Sequence, residues 1–291
     1  MLLMAFPVIY GTAWREGEQD SRTSCCCSLE RFPRNRHSLP TKTLSRRSRR
    51  RSTPDSSKPT RNKTRRPLPA NKVRTAALQL PDSQLRSGTP QSAGTPPPNP
   101  SPTTPPTSIT TQITTSFAKS LSNLHTTYLD SYILHSPLPT LEQTIEAWEA
   151  LCALQDTGKA RQIGVSNTYD VQILEALAAI RPVQVVQNRW YERASWDRDV
   201  CRYCKEHGIQ YQSFWTLSGS PKLLSSPDLT AVAQNAGCTA PQALFKFAML
   251  GGVTPLCGTT NETHMSEVVA ASSLDLPAST QLDNLSKLIW G

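Results

Sequence analysis

Between residues 130 and 262, polar and aromatic residues recur at the ends of short apolar runs. His135 follows the run 132–134, and Ser166 and Asn167 follow 163–165. Gln187 and Asn188 follow 183–186, Phe214 and Trp215 close 209–214, and Gly258, Thr259 and Thr260 follow 253–256. Ser, Asn and Gln side chains can hydrogen-bond a carboxamide, and an aromatic ring can stack on the face of a heteroaromatic one. The set therefore suits a heteroaromatic ligand that carries an amide. Taken singly, each residue favours a blander role: a lone His after a strand is more often structural, and Ser-Asn is a common helix N-cap pair.

These residues meet only if the runs before them are parallel strands. Thr140 opens a helix with Gln143 three residues on, the spacing of a capping box. Leu141, Ile145, Trp148 and Cys152 fall on one face of that helix, and Gly158 stands where a left-handed cap is favoured. Further helices are expected over 171–180, 196–207, 227–236, 241–250, after Asn261, and from about residue 279 to 290, with Pro227 and Pro241 in first turns. Short apolar strands alternating with amphipathic helices imply βα units around a parallel sheet buried on both faces. Five strands are legible. A closed barrel takes eight, so the sheet is either open or lacks three units.

Composition divides the chain sharply. Residues 1–107 hold 19 of the 31 Lys and Arg, 6 of the 22 Asp and Glu, and 16 of the 24 prolines. That is a net charge of +13, against −4 for residues 108–291. Residues 23–107 have too few large apolar side chains to offset chain entropy, so a basic disordered segment is expected over 17–107. The arginine run 46–51 could serve nuclear targeting or nucleic-acid contact. No aromatics interleave it and no folded nucleic-acid module surrounds it, so a solvated segment is the better reading and no nucleic-acid partner is expected. No stretch approaches the ~20 apolar residues of a membrane span, and the apolar start lacks the basic flank and cleavage site of a signal peptide. The eight cysteines form no disulfide framework and suit a reducing, cytoplasmic setting. Cys201 and Cys204 have CxxC spacing without a second pair, and are read as one face of a helix; no metal site is expected.

Four stretches together resemble the aldo-keto reductase family. Tyr128-Leu-Asp-Ser-Tyr-Ile-Leu-His-Ser-Pro137 resembles the segment ending in that family's active-site His, and Gly158-Lys-Ala-Arg-Gln-Ile-Gly-Val-Ser-Asn167 resembles its most recognisable signature. Lys205-Glu-His-Gly-Ile209 and Gly258-Thr-Thr-Asn-Glu262 follow in the expected order. The resemblance covers roughly 116–291. It implies an α/β fold, an incomplete (β/α)8 TIM barrel of about five βα units over 108–291, working at the C-terminal ends of its strands. It further implies NAD(P)H-dependent reduction of an aldehyde or ketone, a small-molecule carbonyl substrate.

By the same resemblance, His135 would help bind and polarise the substrate carbonyl, while Ser166, Asn167 and Gln187 would hold the nicotinamide carboxamide. Phe214 stands in place of the family's stacking Tyr, Leu217 would line the cofactor, Gly258, Thr259 and Thr260 would receive its adenosine-side phosphate, and Glu267 would contact the adenine amino group. The resemblance favours NADP(H) over NAD(H), but only modestly, since Gly258 and His264 replace the basic residues that many NADPH-dependent members place there. Trp215 replaces a usual Ser and Val268 a usual Asn. The segment 189–200 gives no substrate signature beyond the aromatic Trp190, Tyr191 and Trp196.

Family chemistry also uses a Tyr acid tuned by a Lys and an Asp, and these belong to the first strands. Between Arg15 and Thr107 there is no tyrosine. Yet Phe6-Pro-Val-Ile-Tyr-Gly-Thr-Ala-Trp14 resembles the family's first strand and turn, which implies cofactor contacts for Gly11, Thr12 and Trp14. Residues 1–16 are thus read as a first-strand remnant. Residues 17–107 are read as disordered or frame-shifted, and their composition resembles translation in a wrong frame. Two functions follow as expectations: a carbonyl reductase impaired by the missing Asp, Tyr and Lys, or a catalytically inactive nucleotide-binding protein.

Overall fold

The computed structural model describes residues 9–10, 75–78 and 108–291. Seven strands form one parallel sheet: β1 Ile9–Tyr10, β2 Thr75–Leu78, β3 Leu129–Leu134, β4 Ala160–Ser166, β5 Val185–Arg189, β6 Gln210–Phe214 and β7 Val253–Cys257. Their order is β1-β7-β6-β5-β4-β3-β2, so strands from β2 to β7 are neighbours in chain sequence and β1 joins at the far end against β7. This is the strand order of a (β/α)8 barrel with a gap between β1 and β2, and five βα units fill residues 129–271. The strand β2 lies inside the stretch read as patternless. Four residues, Thr-Ala-Ala-Leu, are too few to show an alternation. The remainder of 17–107, and the expected cofactor residues Gly11, Thr12 and Trp14, lie outside the described residues.

Helix α1, Ile109–Asn123, starts at Ser108, whose hydroxyl accepts from the Thr111 amide. It buries Ile109, Ile113 and Phe117 one turn apart, and Phe117 meets Tyr132 of β3 edge to face at 4.9 Å. Helix α2, Leu141–Asp156, is capped by Thr140 on the Gln143 amide, but no return bond from Gln143 completes a capping box, and the Gln143 Oε1 is buried without a partner. Its inward face carries Ala147, Trp148, Leu151 and Cys152, and Leu141 at its start is exposed. The chain leaves α2 through Gly158 at φ 73°, a left-handed turn that suits glycine.

The remaining helices are α3 Val171–Ala178, α4 Arg198–His207, α5 Pro221–Leu224, α6 Pro227–Asn235, α7 Ala240–Leu250, α8 Glu262–Ala271 and α9 Thr280–Trp290. Most of the core lies between them and the outer sheet face, around Trp148, Leu151, Val186, Trp190, Leu244 and Ile289. α4 is shorter than the helix expected over 196–207. Ser195, Trp196 and Asp197 all have left-handed φ, 48°, 54° and 50°, and close a short 3₁₀ turn, Glu192–Asp197. Nothing in their side-chain types announces this, since left-handed backbone is usually signalled by Gly or Asn.

Strand residues alternate between faces, and the contacts settle which face is which. Tyr132, Val186 and Tyr211 belong to the helix-side core. The opposite, concave face therefore carries Ser131, Ile133, Gln187, Arg189, Gln212 and Phe214. On it, Gln187 Nε2 donates to Gln212 Oε1 at 2.9 Å and Gln210 Nε2 to Thr254 Oγ1 at 3.5 Å. β4 contributes Gly164 to this face, and a Cβ there would come within 2.3 Å of the Val185 carbonyl oxygen.

Candidate active site

Because the strands are parallel and in register, their C-terminal ends form one rim. Ser166 pairs with Gln187, Gln187 with Gln212, and Arg189 with Phe214. Ser166 is buried, and its hydroxyl donates to the Gln187 carbonyl at 2.7 Å. Asn167 leaves β4 with φ 52°, a conformation Asn tolerates better than most residues. Its amide N–H donates to the Gln187 carbonyl at 3.1 Å, while Nδ2 donates to the His135 carbonyl at 2.7 Å and to Ser166 Oγ at 3.3 Å. One residue thus ties together the ends of three strands. Asn167 Oδ1 receives a long contact from Tyr169 Oη at 3.5 Å, and Gln187 donates one of its two N–H groups to Gln212.

This leaves an amide-shaped set of groups at the rim. Asn167 Oδ1 and Gln187 Oε1 can accept from an amide NH₂, and the second Gln187 N–H can donate to its carbonyl. The residues fit a carboxamide by the chemistry of their donors and acceptors. His135 stands beside them, half-buried, and burial holds its imidazole below the ordinary 6.5. A neutral ring can donate one hydrogen bond without carrying a charge into the site.

Phe214 and Trp215 close the rim on the next strand. Phe214 is half-buried, and Trp215, at φ 61°, is 48% exposed. Leu217 packs against both apolar clusters and anchors the loop after β6. Gly258 and Thr260 are exposed and Thr259 is half-buried, in the loop that enters α8. Asn261 caps that helix, accepting from the Thr263 amide at 2.9 Å and the His264 amide at 3.4 Å. These two first-turn donors therefore face a side chain, and the Asn261 amide itself donates to Thr259 Oγ1 at 3.1 Å. Glu267 is half-buried on α8, and its backbone carbonyl accepts from Gln242 Nε2 at 3.0 Å.

Trp190 and Trp196 do not line the rim; they are 0% and 6% exposed, in the core between sheet and helices. Of the three aromatics only Tyr191 reaches it, meeting Trp215 edge to face at 6.0 Å. Cys204 is buried and Cys201 nearly so; burial raises both thiols, Cys204 to about 12, so neither offers a thiolate. Among the described residues, no group of His, Cys, Asp or Glu could hold a metal ion, and no helix is long and apolar enough to cross a membrane.

Behind the rim lies a buried polar chain that sequence reading missed. Asn188 Nδ2 donates to the Thr168 carbonyl at 2.6 Å and to Asp197 Oδ2 at 2.8 Å, and Tyr211 Oη donates to the same Oδ2 at 2.8 Å. Asn188 Oδ1 accepts from the Thr168 amide at 2.9 Å. Burial pushes the Asp197 carboxyl up to about 6. The sequence reading sets Asn188 with Gln187 in one ligand-facing polar set; its side chain turns instead into this buried chain, and an acid 9 residues on could not be paired with it from sequence alone.

Over residues 99–287 the chain matches the aldo/keto reductase family. It is 32% identical over 154 residues to the glyoxal reductase of Bacillus subtilis (strain 168), covering 52% of this chain and 54% of that protein. The fold resembles that of an aldo/keto reductase from Brucella melitensis, with a TM-score of 0.59 at 22% identity over 76% of this chain and 75% of the other. It also resembles a variant of the protein Gox0644 solved in complex with NADPH, with a TM-score of 0.59 at 19% identity over 75% and 70%. The chain spans little more than half the length of the curated relatives it matches. By the family match over residues 99–287, more than half of its length, this chain belongs to the aldo/keto reductase family.

Proposed function

We propose that residues 108–291 form the nicotinamide-holding side of a carbonyl reductase, with NADP(H) favoured over NAD(H). The observation that supports this most is the convergence of Ser166, Asn167 and Gln187 beside His135, with amide donors and acceptors left free. Bound there, the nicotinamide supplies a hydride to an aldehyde or ketone carbon. Ser166, Asn167 and Gln187 orient its carboxamide, Phe214 lies against its ring, and Leu217 lines it. Gly258, Thr259 and Thr260 receive the adenosine-side phosphate on their amides, and Glu267 contacts the adenine. Neutral His135 donates to the substrate carbonyl oxygen. Glyoxal reductase is the activity named for one relative, and small carbonyl compounds are the substrate class proposed here.

Reduction also needs a proton donor within reach of that oxygen. The stretch between Arg15 and Thr107 has no tyrosine to serve. Losing the acid removes about 10²–10⁴-fold of rate, so turnover is slow. The second reading, a nucleotide binder without turnover, rests on the same missing tyrosine. Quenching of Trp fluorescence by NADPH, followed by NADPH oxidation at 340 nm with an aldehyde panel, tests both. Binding with slow turnover is expected, and binding without turnover leaves the second reading. Absence of NADPH binding refutes both. Translating the coding DNA in its other frames across 17–107 tests the frame-shift, which fails if neither frame yields Asp, Tyr and Lys in βα context.

A further inference from the structure

Arg189 is the last residue of β5, two positions beyond Gln187 and on the same concave face. It is exposed at the rim, and among the described residues no carboxylate pairs with it. Its guanidinium instead lies 4.5 Å from the centroid of the Trp215 ring and 5.9 Å from that of Phe214. Stacking on an aromatic face fixes the plane of the guanidinium while leaving its edge N–H groups free.

The platform is itself held in place. Trp215 keeps a left-handed φ of 61°, which disfavours a bulky residue and persists only when its surroundings over-determine it. Tyr191 meets its edge, and Gly219 donates to its carbonyl at 2.8 Å. A Cβ on Gly219 would come within 2.7 Å of Tyr191 Cβ, so the close turn requires glycine. Below Arg189, its own backbone amide donates to Tyr169 Oη at 3.1 Å. The result is a cation pre-oriented over a fixed shelf, with its hydrogen-bonding edge unspent, next to the carboxamide groups.

We propose that Arg189, seated on Trp215, is a specificity-determining residue that binds an anionic oxygen group, carboxylate or phosphate, of a ligand at this rim. A planar fork of N–H donors matches either anion bidentately. The anion comes from one of two sources: an acidic group on the carbonyl substrate, or a phosphate of the dinucleotide. The inference deepens the proposed function, and its placement of the ligand rests on that reading.

The test is calorimetric titration of the full chain with four probes: succinic semialdehyde, butanal, inorganic pyrophosphate and NADPH. Arg189→Leu and Arg189→Lys are compared with the wild-type chain, with circular dichroism confirming that each variant is folded. Arg189→Leu is expected to weaken an anionic probe by about tenfold, the worth of one charge-assisted contact at an open rim. Arg189→Lys recovers only part of this, because an ammonium neither stacks flat nor binds bidentately. Butanal, which has no anionic group, is unaffected. A loss confined to succinic semialdehyde assigns the anion to the substrate; a joint loss of pyrophosphate and NADPH assigns it to the dinucleotide. Arg189-dependent binding of an anion to a chain that does not bind NADPH refutes the nicotinamide reading and leaves this one standing. The proposal is overturned if no anionic probe binds the wild-type chain, or if each binds wild type and Arg189→Leu within twofold.

Discussion

Asp197 offers a sharp test of the buried chain behind the rim. Its carboxyl is 9% exposed, and its Oδ2 accepts from both Asn188 Nδ2 and Tyr211 Oη. Burial outweighs these two bonds and raises its pKa from 3.8 to about 6. The sign follows directly. Below pH 4 the group is protonated in both the folded and the unfolded chain and contributes nothing. Between the two values the unfolded chain gives up the proton and the folded chain keeps it, so the native state loses stability as pH rises. At about 1.4 kcal/mol per pH unit, the loss amounts to roughly 3 kcal/mol above pH 6. Asp197→Asn abolishes it: one amide oxygen in the place of Oδ2 can accept both bonds, and Asn suits φ 50° better than Asp. The assay is urea unfolding followed by Trp fluorescence, from pH 4 to 7.5, on both chains. The difference between them cancels every other carboxylate. Cys201, Cys204 and Tyr211, all raised by burial, stay neutral throughout. The stability of Asp197→Asn relative to wild type should climb by up to about 3 kcal/mol across this range. A flat or falling difference would refute the argument. Asp197→Ala, which orphans both donors, should be destabilised at every pH, by about 1–3 kcal/mol for each donor left unpaired.

Three further outcomes follow from particular contacts. Gly164→Ala drives a Cβ to 2.3 Å from the Val185 carbonyl oxygen; backbone cannot yield there without breaking the β4–β5 ladder, so thermal unfolding should reveal a loss of more than about 2 kcal/mol. A loss below 0.5 kcal/mol would show that the strands slide apart cheaply. Asn167→Ala removes the bond to the His135 carbonyl and places Ala at φ 52°, and should cost about 2–3 kcal/mol. Asn167→Gly should recover about 1 kcal/mol of that without recovering NADPH quenching; wild-type quenching in the glycine variant would remove Asn167 from the cofactor site. In a proton NMR titration the His135 ring should show a midpoint below 6.5, because burial opposes its charged form; a midpoint above 7 would mean an unseen anion faces it.

Much of this fold is written in local pattern, and its departures have local causes. The five strands from β3 to β7 and most of the helices between them are legible because a short run containing buried apolar residues is set off by helix caps, Gly and Pro on either side. Helix α1 is harder to read, since Ile109, Ile113 and Phe117 have helical spacing but sit among threonines and serines, which compete for backbone hydrogen bonds. The turn at Ser195, Trp196 and Asp197 is hidden because its left-handed backbone is enforced by tertiary contacts: Asp197 held by Asn188 and Tyr211, Trp196 sunk in the core. Arg189 lies two positions from Gln187, but its meaning depends on Trp215, which is 26 positions away in sequence and one strand away in space.

The same geometry gives a reason to expect, on the proposed reading, that binding and turnover would part company in this chain. Ser166, Asn167 and Gln187 are positioned by two adjacent strands, and the bonds that aim them also join those strands: Ser166 Oγ and the Asn167 amide both donate to the Gln187 carbonyl. Any sheet that preserves the β4–β5 register and also keeps the bonds of Asn167 to the His135 carbonyl and of Gln187 to Gln212 preserves this set, whatever happens at the far edges. A proton donor for a carbonyl at His135 has to come from elsewhere, and in the family this chain belongs to it comes from the first strands. β1 and β2 are the two ends of the described sheet and do not pair with each other, so no ladder transmits the register of β4 and β5 across that gap. On the proposed reading, cofactor affinity would depend on contacts supplied from β4 through α8, and rate on a proton donor that those elements do not carry. Substitutions at Asn167 should accordingly alter NADPH affinity. Substitutions in residues 17–107 should leave that affinity intact, whether or not the chain turns over. If deleting that stretch abolished NADPH quenching while residues 108–291 remained folded, this separation would be wrong.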